Sequence, residues 1–414
     1  MTDFPKDRAV LEIDLGAIRR NWRTVRAAFS GATVGAVVKQ DAYGLGVATL
    51  APLLSDLGCR DFWVADFDEG LSLRALLPQA RIYVMHGLAG APAAEFRARH
   101  LVPVLMDPSE LPLARAEAAR AGRFDIGIQL DTGLGRLGFT LADVKRLSAD
   151  DTALDGLRLV TLITHLARFA DPQARRNTHQ WRRFRAWAQA LPDAPLSFCA
   201  SAGVFGPPER HCSHARVGSA LYGVETTPAR PQPIQMAARL TAPILRVADV
   251  RAGVEVGYGG VYRTTQPRRL AHLAAGYGDG VPFSFRHPAQ VRLGGHGVPV
   301  VGGVAMSMMT IDVTDLPPGL AVPGARAELF GPALPVDQLA AAAGLAPNAV
   351  MVAAGHRTRR IYRDTAEFIP ADALPPEIAA GRSDGLPPMA VRGAGAVTQD
   401  DDRRMMQGQG RAAL

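Results

Sequence analysis

Lysine is almost missing from this chain. Of 46 basic residues only Lys6, Lys39 and Lys145 are lysines, and the other 43 are arginine. Arginine serves wherever any cation will do. A lysine that is kept reads as an amine needed as an amine, because lysine can lose its proton or form a Schiff base and arginine can do neither. Cysteine is scarce too. Cys59, Cys199 and Cys212 show no framework spacing, which excludes a disulfide scaffold and predicts a cytoplasmic protein with reduced thiols. No apolar run reaches about 18 residues, so no membrane span is expected. The opening MTDFPKDRAV has no signal-peptide core. The net charge of +7 comes from arginines scattered singly along helices. Without a basic run, this reads as a solvated surface and predicts no nucleic-acid partner. His211, Cys212 and His214, in RHCSHA, lack a fourth ligand at a usual spacing, so no metal is expected.

What is present is length and pattern. The 414 residues, 48% hydrophobic and 21% charged, suffice for two globular domains. Eight short runs rich in Val, Ile and Leu recur over the first 225 or so residues. They are Val34–Val38, Phe62–Ala65, Ile82–Met85, Val102–Leu105, Phe124–Leu130, Leu159–Thr164, Leu196–Ala200 and Ala215–Leu221. Amphipathic segments such as Gly16–Phe29 and Pro172–Ala190 separate them. Eight buried parallel strands alternating with helices predict an α/β fold, a (β/α)8 barrel, with a doubly wound sheet as the alternative. From about residue 239 short strands alternate with glycine-rich joints, which predicts a second, mostly β domain over 239–372. The strand-like Ala9–Ile13 opens the 9–238 segment and is a candidate to pair with that domain. Residues 1–8 read as an arm, and 373–414, rich in Pro, Gly and mixed charge, as a tail.

In such a barrel the active site lies at the C-terminal ends of the strands. Lys39 ends the first strand, in GAVVKQDAYGLG. Asp131 and Arg136, in LDTGLGRLGF, follow the fifth, His165 ends the sixth, and Ser201 the seventh. Arg216, Gly218 and Ser219 belong to the eighth. The serine and glycine pieces at strands seven and eight sit where barrels commonly bind phosphate. A reactive lysine on one side of the mouth and a phosphate cup on the other point to pyridoxal 5′-phosphate.

The motifs AVVKQDAYGLG, QLDTGLGRLGF, THLARFAD, ASAG, ARVGSALYG, VGYGGVYR, AAGYGDG and MTIDVTDL occur in this order. Together the series resembles the alanine racemase family of fold type III pyridoxal-phosphate enzymes, across most of residues 9–362. The resemblance implies a dimeric amino-acid racemase whose small-molecule substrate is most readily alanine, with a role in D-alanine supply for the cell wall. It implies that Lys39 binds the cofactor and is one catalytic base. Tyr43, Ser201, Gly218, Ser219 and Tyr362 would hold the phosphate. Arg216 would face the pyridine nitrogen, with His165 hydrogen-bonded in its network. Arg136, Met306 and Tyr277 would meet the substrate. Tyr258 of the partner subunit would be the opposing base. Racemisation needs a proton removed from one face and replaced on the other, and two bases on opposite faces meet that need.

The chain also departs from the family's pattern. Gln129 stands where relatives often have a lysine that buttresses Arg136. Phe283 replaces a basic residue, Ser307 an aspartate and Ala200 an asparagine. The substrate entrance has thus lost a charged pair, which predicts altered selection of substrate size and charge. The alternatives are a racemase of other or more amino acids, a non-catalytic cofactor-binding paralogue, and a basic-amino-acid decarboxylase. The last would carry a cysteine- and acid-bearing loop that GGVAMSMMT lacks.

Overall fold

The computed structural model describes residues 7–171, 174–228, 231–286 and 288–365. All eight barrel strands expected from the sequence are present: β2 (Thr33–Val37), β3 (Asp61–Val64), β4 (Arg81–Val84), β5 (Leu101–Leu105), β6 (Phe124–Gln129), β7 (Leu157–Ile163), β8 (Leu196–Ser197) and β9 (His214–Val217). They form one parallel sheet in the order β8-β7-β6-β5-β4-β3-β2-β9. The circle closes where Ala200 bridges Arg216 and the Arg216 N–H donates to the Cys199 carbonyl at 2.9 Å. This is the barrel, not the doubly wound sheet.

Strand periodicity divides the core in two. Phe62 and Val64 of β3 pack in the large outer cluster with the helices. Trp63, between them, packs with Val37, Tyr83, Val102, Val104 and Ile163 in a separate cluster, as barrel-interior side chains should. Trp63 and Tyr83 stack with ring centroids 4.0 Å apart, and His214 stacks beyond them. His214 is thus part of the barrel interior, bonded to Thr161, while His211 lies against Ser30 and Phe29.

The second domain is built on β10 (Ala238–Val250), which bends at an irregularity near Ile244. Its first half pairs with β17 (Arg326–Phe330), its second with β13 (Arg268–Leu273). Through β14 (Gln290–Leu293), β15 (His296–Val301) and β16 (Met309–Asp312) the sheet returns on itself. The short pair β11 (Glu255–Val256) and β12 (Tyr262–Arg263) projects as a hairpin.

The first strand, β1 (Val10–Asp14), does join this domain, antiparallel to β10 and parallel to the late strand β18 (Arg359–Arg363). The chain therefore enters through the second domain's sheet before building the barrel. Asp14 ends β1 and caps the helix Leu15–Ala28 by accepting from the Ala17 N–H, a cap worth about 1 kcal/mol. Two helices, Val336–Ala343 and Pro347–Arg357, also belong to the second domain. Residues 1–6 of the arm and the whole of the tail lie outside the described residues.

Candidate active site

Lys39 follows β2 and opens a turn of the wrong hand. Gln40, Asp41, Ala42 and Tyr43 all have φ between +52° and +58°. Left-handed helical backbone costs about 1–2 kcal/mol for each L-residue, so four in a row must be held by their surroundings. Glu69 accepts from the Gln40 N–H at 2.6 Å, and Asp41 accepts from the Val47 N–H at 2.7 Å. Arg360 pairs with Asp41 at 2.6 Å. The helix Pro347–Arg357 closes over the turn so tightly that a Cβ on Gly355 would stand 2.0 Å from the Gly44 carbonyl oxygen. The result places both Lys39 and Tyr43 in one cleft.

That cleft holds about 410 Å³ and lies between the barrel mouth and the start of helix Pro347–Arg357. Lys39, Tyr43, His165, Ser201, Arg216, Gly218 and Ser219 all line it. Ser201 Oγ accepts from the N–H groups of Gly218 and Ala220, both at 3.2 Å. Ser219 lies beside the Tyr43 hydroxyl. Gly218 must be glycine here, because a Cβ would meet the Tyr43 hydroxyl at 2.3 Å. Burial pushes the Tyr43 phenol up to about 12, with the Ser219 hydroxyl opposing, so it stays a neutral donor. The Ser201, Ser219 and Tyr43 hydroxyls converge as a cup of donors suited to an anion, with Ser201 Oγ held by the two N–H groups so that its own proton points elsewhere.

Opposite them lies Arg216. It is 4% exposed and pairs with no carboxylate among the described residues. Its guanidinium donates to the carbonyls of Ser197 at 2.8 Å and Thr164 at 2.5 Å and sits over the Trp63 ring at 5.7 Å. Burial lowers it to about 10, which leaves it charged at neutral pH. The expected hydrogen bond from His165 into this network is absent from the described residues. The carbonyls hold Arg216, and His165 feels it only through space. Burial first, then the charges of Arg216, Arg136 and Lys39, push His165 down to about 3, so its imidazole is neutral.

The same surroundings act on Lys39. Burial and the Arg136 charge lower its pKa, Glu69 opposes them, and Arg216 adds to the lowering. The outcome is an amine more readily neutral than a surface lysine, as a nucleophile or base requires. Of the other two lysines, Lys145 is exposed on its helix and Lys6 lies outside the described residues.

Arg136 stands on the exposed loop after β6. The loop is tied by Asp131, which accepts from the N–H groups of Gly133, Leu134 and Gly135 at 2.8–3.0 Å. It is also tied by Gln129, whose side-chain N–H donates to the Leu137 carbonyl at 2.7 Å. Gln129 therefore holds the loop next to Arg136 by a neutral hydrogen bond.

Five residues named from the sequence do not line this cleft: Arg136 and four more. Tyr362 is not among its lining, and its hydroxyl donates to the Leu45 carbonyl at 2.9 Å, behind the left-handed turn. Tyr258, on the β11–β12 hairpin, is 85% exposed, and Met306 is 65% exposed. Tyr277 is exposed with its ring against Phe283. In one chain the second domain's contribution to the cleft is instead Ala346, Pro347, Asn348 and Val352. These were missed, although Pro347 at a first helical position is the signal that marks this helix start.

Such a cleft asks for a ligand with an anionic group for the cup and a carbonyl for the amine. Pyridoxal phosphate has both, and the donor set fits it. The class is that of lysine-anchored pyridoxal-phosphate enzymes built on a barrel. Family comparison narrows this. Residues 13–226 match the alanine racemase N-terminal domain and 237–362 the alanine racemase C-terminal domain. Alanine racemase of Acidiphilium cryptum is 40% identical over 353 residues, covering 85% of this chain and 98% of the relative. That of Rhodospirillum rubrum is 38% identical, covering 86% and 96%. The crystal structure of Bartonella henselae alanine racemase, with covalently bound pyridoxal phosphate, superposes with a TM-score of 0.82 at 30% identity, covering 86% of this chain and 99% of that one. The chain belongs to the alanine racemase family.

Proposed function

We propose that this chain interconverts L- and D-alanine with two bases on opposite faces of the substrate, Lys39 and Tyr258 of the partner subunit. The activity is that of an isomerase, alanine racemase, dependent on pyridoxal phosphate. Relatives of that name match the chain over nearly their whole length, which does not favour a decarboxylase, a binding-only paralogue or a racemase of other amino acids. The observation that carries the mechanism is the meeting of Lys39, Arg216 and the donor cup in one cleft.

When bound, the cofactor supplies an aldehyde for amines and a conjugated ring that weakens the substrate's Cα–H bond. Lys39 would anchor it, and as a buried amine whose pKa is lowered it would take or return the α-proton. Ser201, Ser219 and Tyr43 would hold the phosphate with their hydroxyls, and the Gly218 N–H would hold the Ser201 oxygen in place. Arg216, a cation at neutral pH, would keep a proton off the ring nitrogen, which would limit electron withdrawal and favour simple proton exchange over side reactions. Arg136 orients the substrate carboxylate.

A dimer supplies the second base. Tyr258 cannot serve its own Lys39 from outside the cleft. It stands on a face where Val261, Tyr277, Phe283, Met306 and Met308 are all exposed. Backbone contacts join this face: the Gly278 N–H donates to the Met306 carbonyl at 2.8 Å, and Gly257 lies against Gly303. An apolar face of this kind suits a second copy of the chain. We also place the protein in the cytoplasm, a reading supported by its three unpaired cysteines, and its product in D-alanine supply for the cell wall.

The test is α-proton exchange. The cofactor-loaded protein is incubated with a panel of L-amino acids in heavy water, and the chirality of each product is assayed. Loss of the α-proton signal with D-alanine as product is the expected result. Loading at Lys39 without exchange on any amino acid would overturn the racemase reading.

A further inference from the structure

The donor cup has a member from the second domain that the racemase reading has not used. Asn348 stands in the first turn of helix Pro347–Arg357 and lines the cleft beside Ser219. Its side-chain nitrogen lies 3.0 Å from Ser219 Oγ, and Ser219 Oγ lies 3.3 Å from the Asn348 side-chain oxygen. Ser219 has one proton to give and two lone pairs to accept with. The shorter contact is the one in which the amide donates. A hydroxyl held through a lone pair keeps its proton for another acceptor: the Tyr43 oxygen beside it, or an anion seated in the cup.

Among the described residues no other hydrogen bond claims the Asn348 side chain. It does not cap its own helix, and its second amide N–H has no partner among the described residues. The carboxamide is half-buried and faces the end of the cleft where Ser201, Gly218 and Tyr43 converge. A neutral amide there brings donors without a countercharge that would compete with an anion.

We propose that Asn348 is a positioning residue for the cofactor phosphate: it holds Ser219 Oγ by a lone pair and so turns the hydroxyl proton toward the phosphate. The second domain thereby takes part in retaining the cofactor as well as in supplying Tyr258. The inference rests on the pyridoxal-phosphate reading of the cleft.

The experiment compares two aldehydes that differ only in the phosphate. The purified protein is stripped and titrated with pyridoxal phosphate and, separately, with pyridoxal, following the absorbance of the Lys39-linked chromophore. Asn348→Ala should bind pyridoxal phosphate about three- to tenfold more weakly, the scale of one hydrogen bond, with pyridoxal affinity unchanged. Asn348→Asp should lose more, about 10- to 100-fold, because a carboxylate takes the Ser219 proton and repels the anion. On a Ser219→Ala background, Asn348→Ala should add little, since the amide acts through that hydroxyl. Unchanged preference for the phosphate in both Asn348 variants would overturn the proposal. So would equal losses with and without Ser219. A native protein that links neither aldehyde at Lys39 would overturn the cofactor reading itself, and this inference with it.

Discussion

At the barrel mouth, each chemical group is seated before any ligand arrives. Arg216 is gripped by two carbonyls, Ser201 bridges two N–H groups, and Lys39 is fixed by a strained turn that the second domain clamps. On the outer face of the second domain the opposite holds. Tyr258 and Met306 stand exposed, and Phe283 is 71% exposed. The first region is complete within one chain because burial and hydrogen bonds set its charges. The second has apolar side chains standing exposed, and the proposed function has a second copy of the chain cover them. Preorganisation resides at the barrel mouth, and exposed apolar surface on the β domain.

The sharpest way to break this contrast is at Lys39. Lys39→Ala should abolish the borohydride-reducible link and cut turnover by more than about 10⁴-fold, while the protein still folds and pairs. Mass spectrometry after reduction and a chirality assay read both effects.

Tyr258→Phe should instead leave the link intact and cut turnover by about 10²–10⁴-fold. Mixing the two inactive variants under exchange conditions distinguishes a shared site from a private one. If sites are shared, mixed dimers rebuild one good site from each pair, and activity should return to about a quarter of native. Activity that stays at the level of the separate variants would contradict a site shared between subunits.

A smaller effect tests the preset charges. His165 and His214 are held down to about 3, mainly by burial, whereas in the unfolded chain a histidine takes its proton near 6.5. The unfolded state then binds more protons between those limits, so stability falls as pH drops from about 6.5 toward 3. Thermal midpoints should decline over this window, and His165→Gln should flatten part of the decline. An identical slope in that variant would contradict the buried neutral imidazole.

Gln129→Leu should have the smallest consequence. It removes the hydrogen bond to the Leu137 carbonyl, worth about 0.5–1.5 kcal/mol, and loosens the loop that carries Arg136. KM for alanine should rise a few-fold with kcat nearly unchanged, as expected of a residue that acts on substrate positioning.

Much of this was legible in the residue string because the patterns are local. Eight apolar runs marked eight strands, and Lys39, His165, Ser201 and Arg216 read as strand-end residues and do share one cleft. The strand pairing of Val10–Asp14 with the second domain was also within reach. The left-handed turn was not. Gln, Asp, Ala and Tyr carry no preference for positive φ, and only Glu69, Arg360 and the helix Pro347–Arg357 make that conformation tolerable. Asn348 escaped notice for the same reason: its partner Ser219 lies 129 residues away. His165 was read into a hydrogen-bond network that the backbone carbonyls of Thr164 and Ser197 occupy.

The sequence by itself determined the barrel, the attached β domain, the one lysine worth keeping and the ordered motifs of the family, since each depends on side-chain period or on residues near in the chain. Tertiary structure alone decided the ionisation of Lys39, His165 and Arg216, the hand of the turn after Lys39, and the place of Tyr258 outside its own chain's cleft. Charge states and contacts of that kind depend on which distant groups exclude water or lend a field, and the order of residues along a chain does not specify those distances until it has folded.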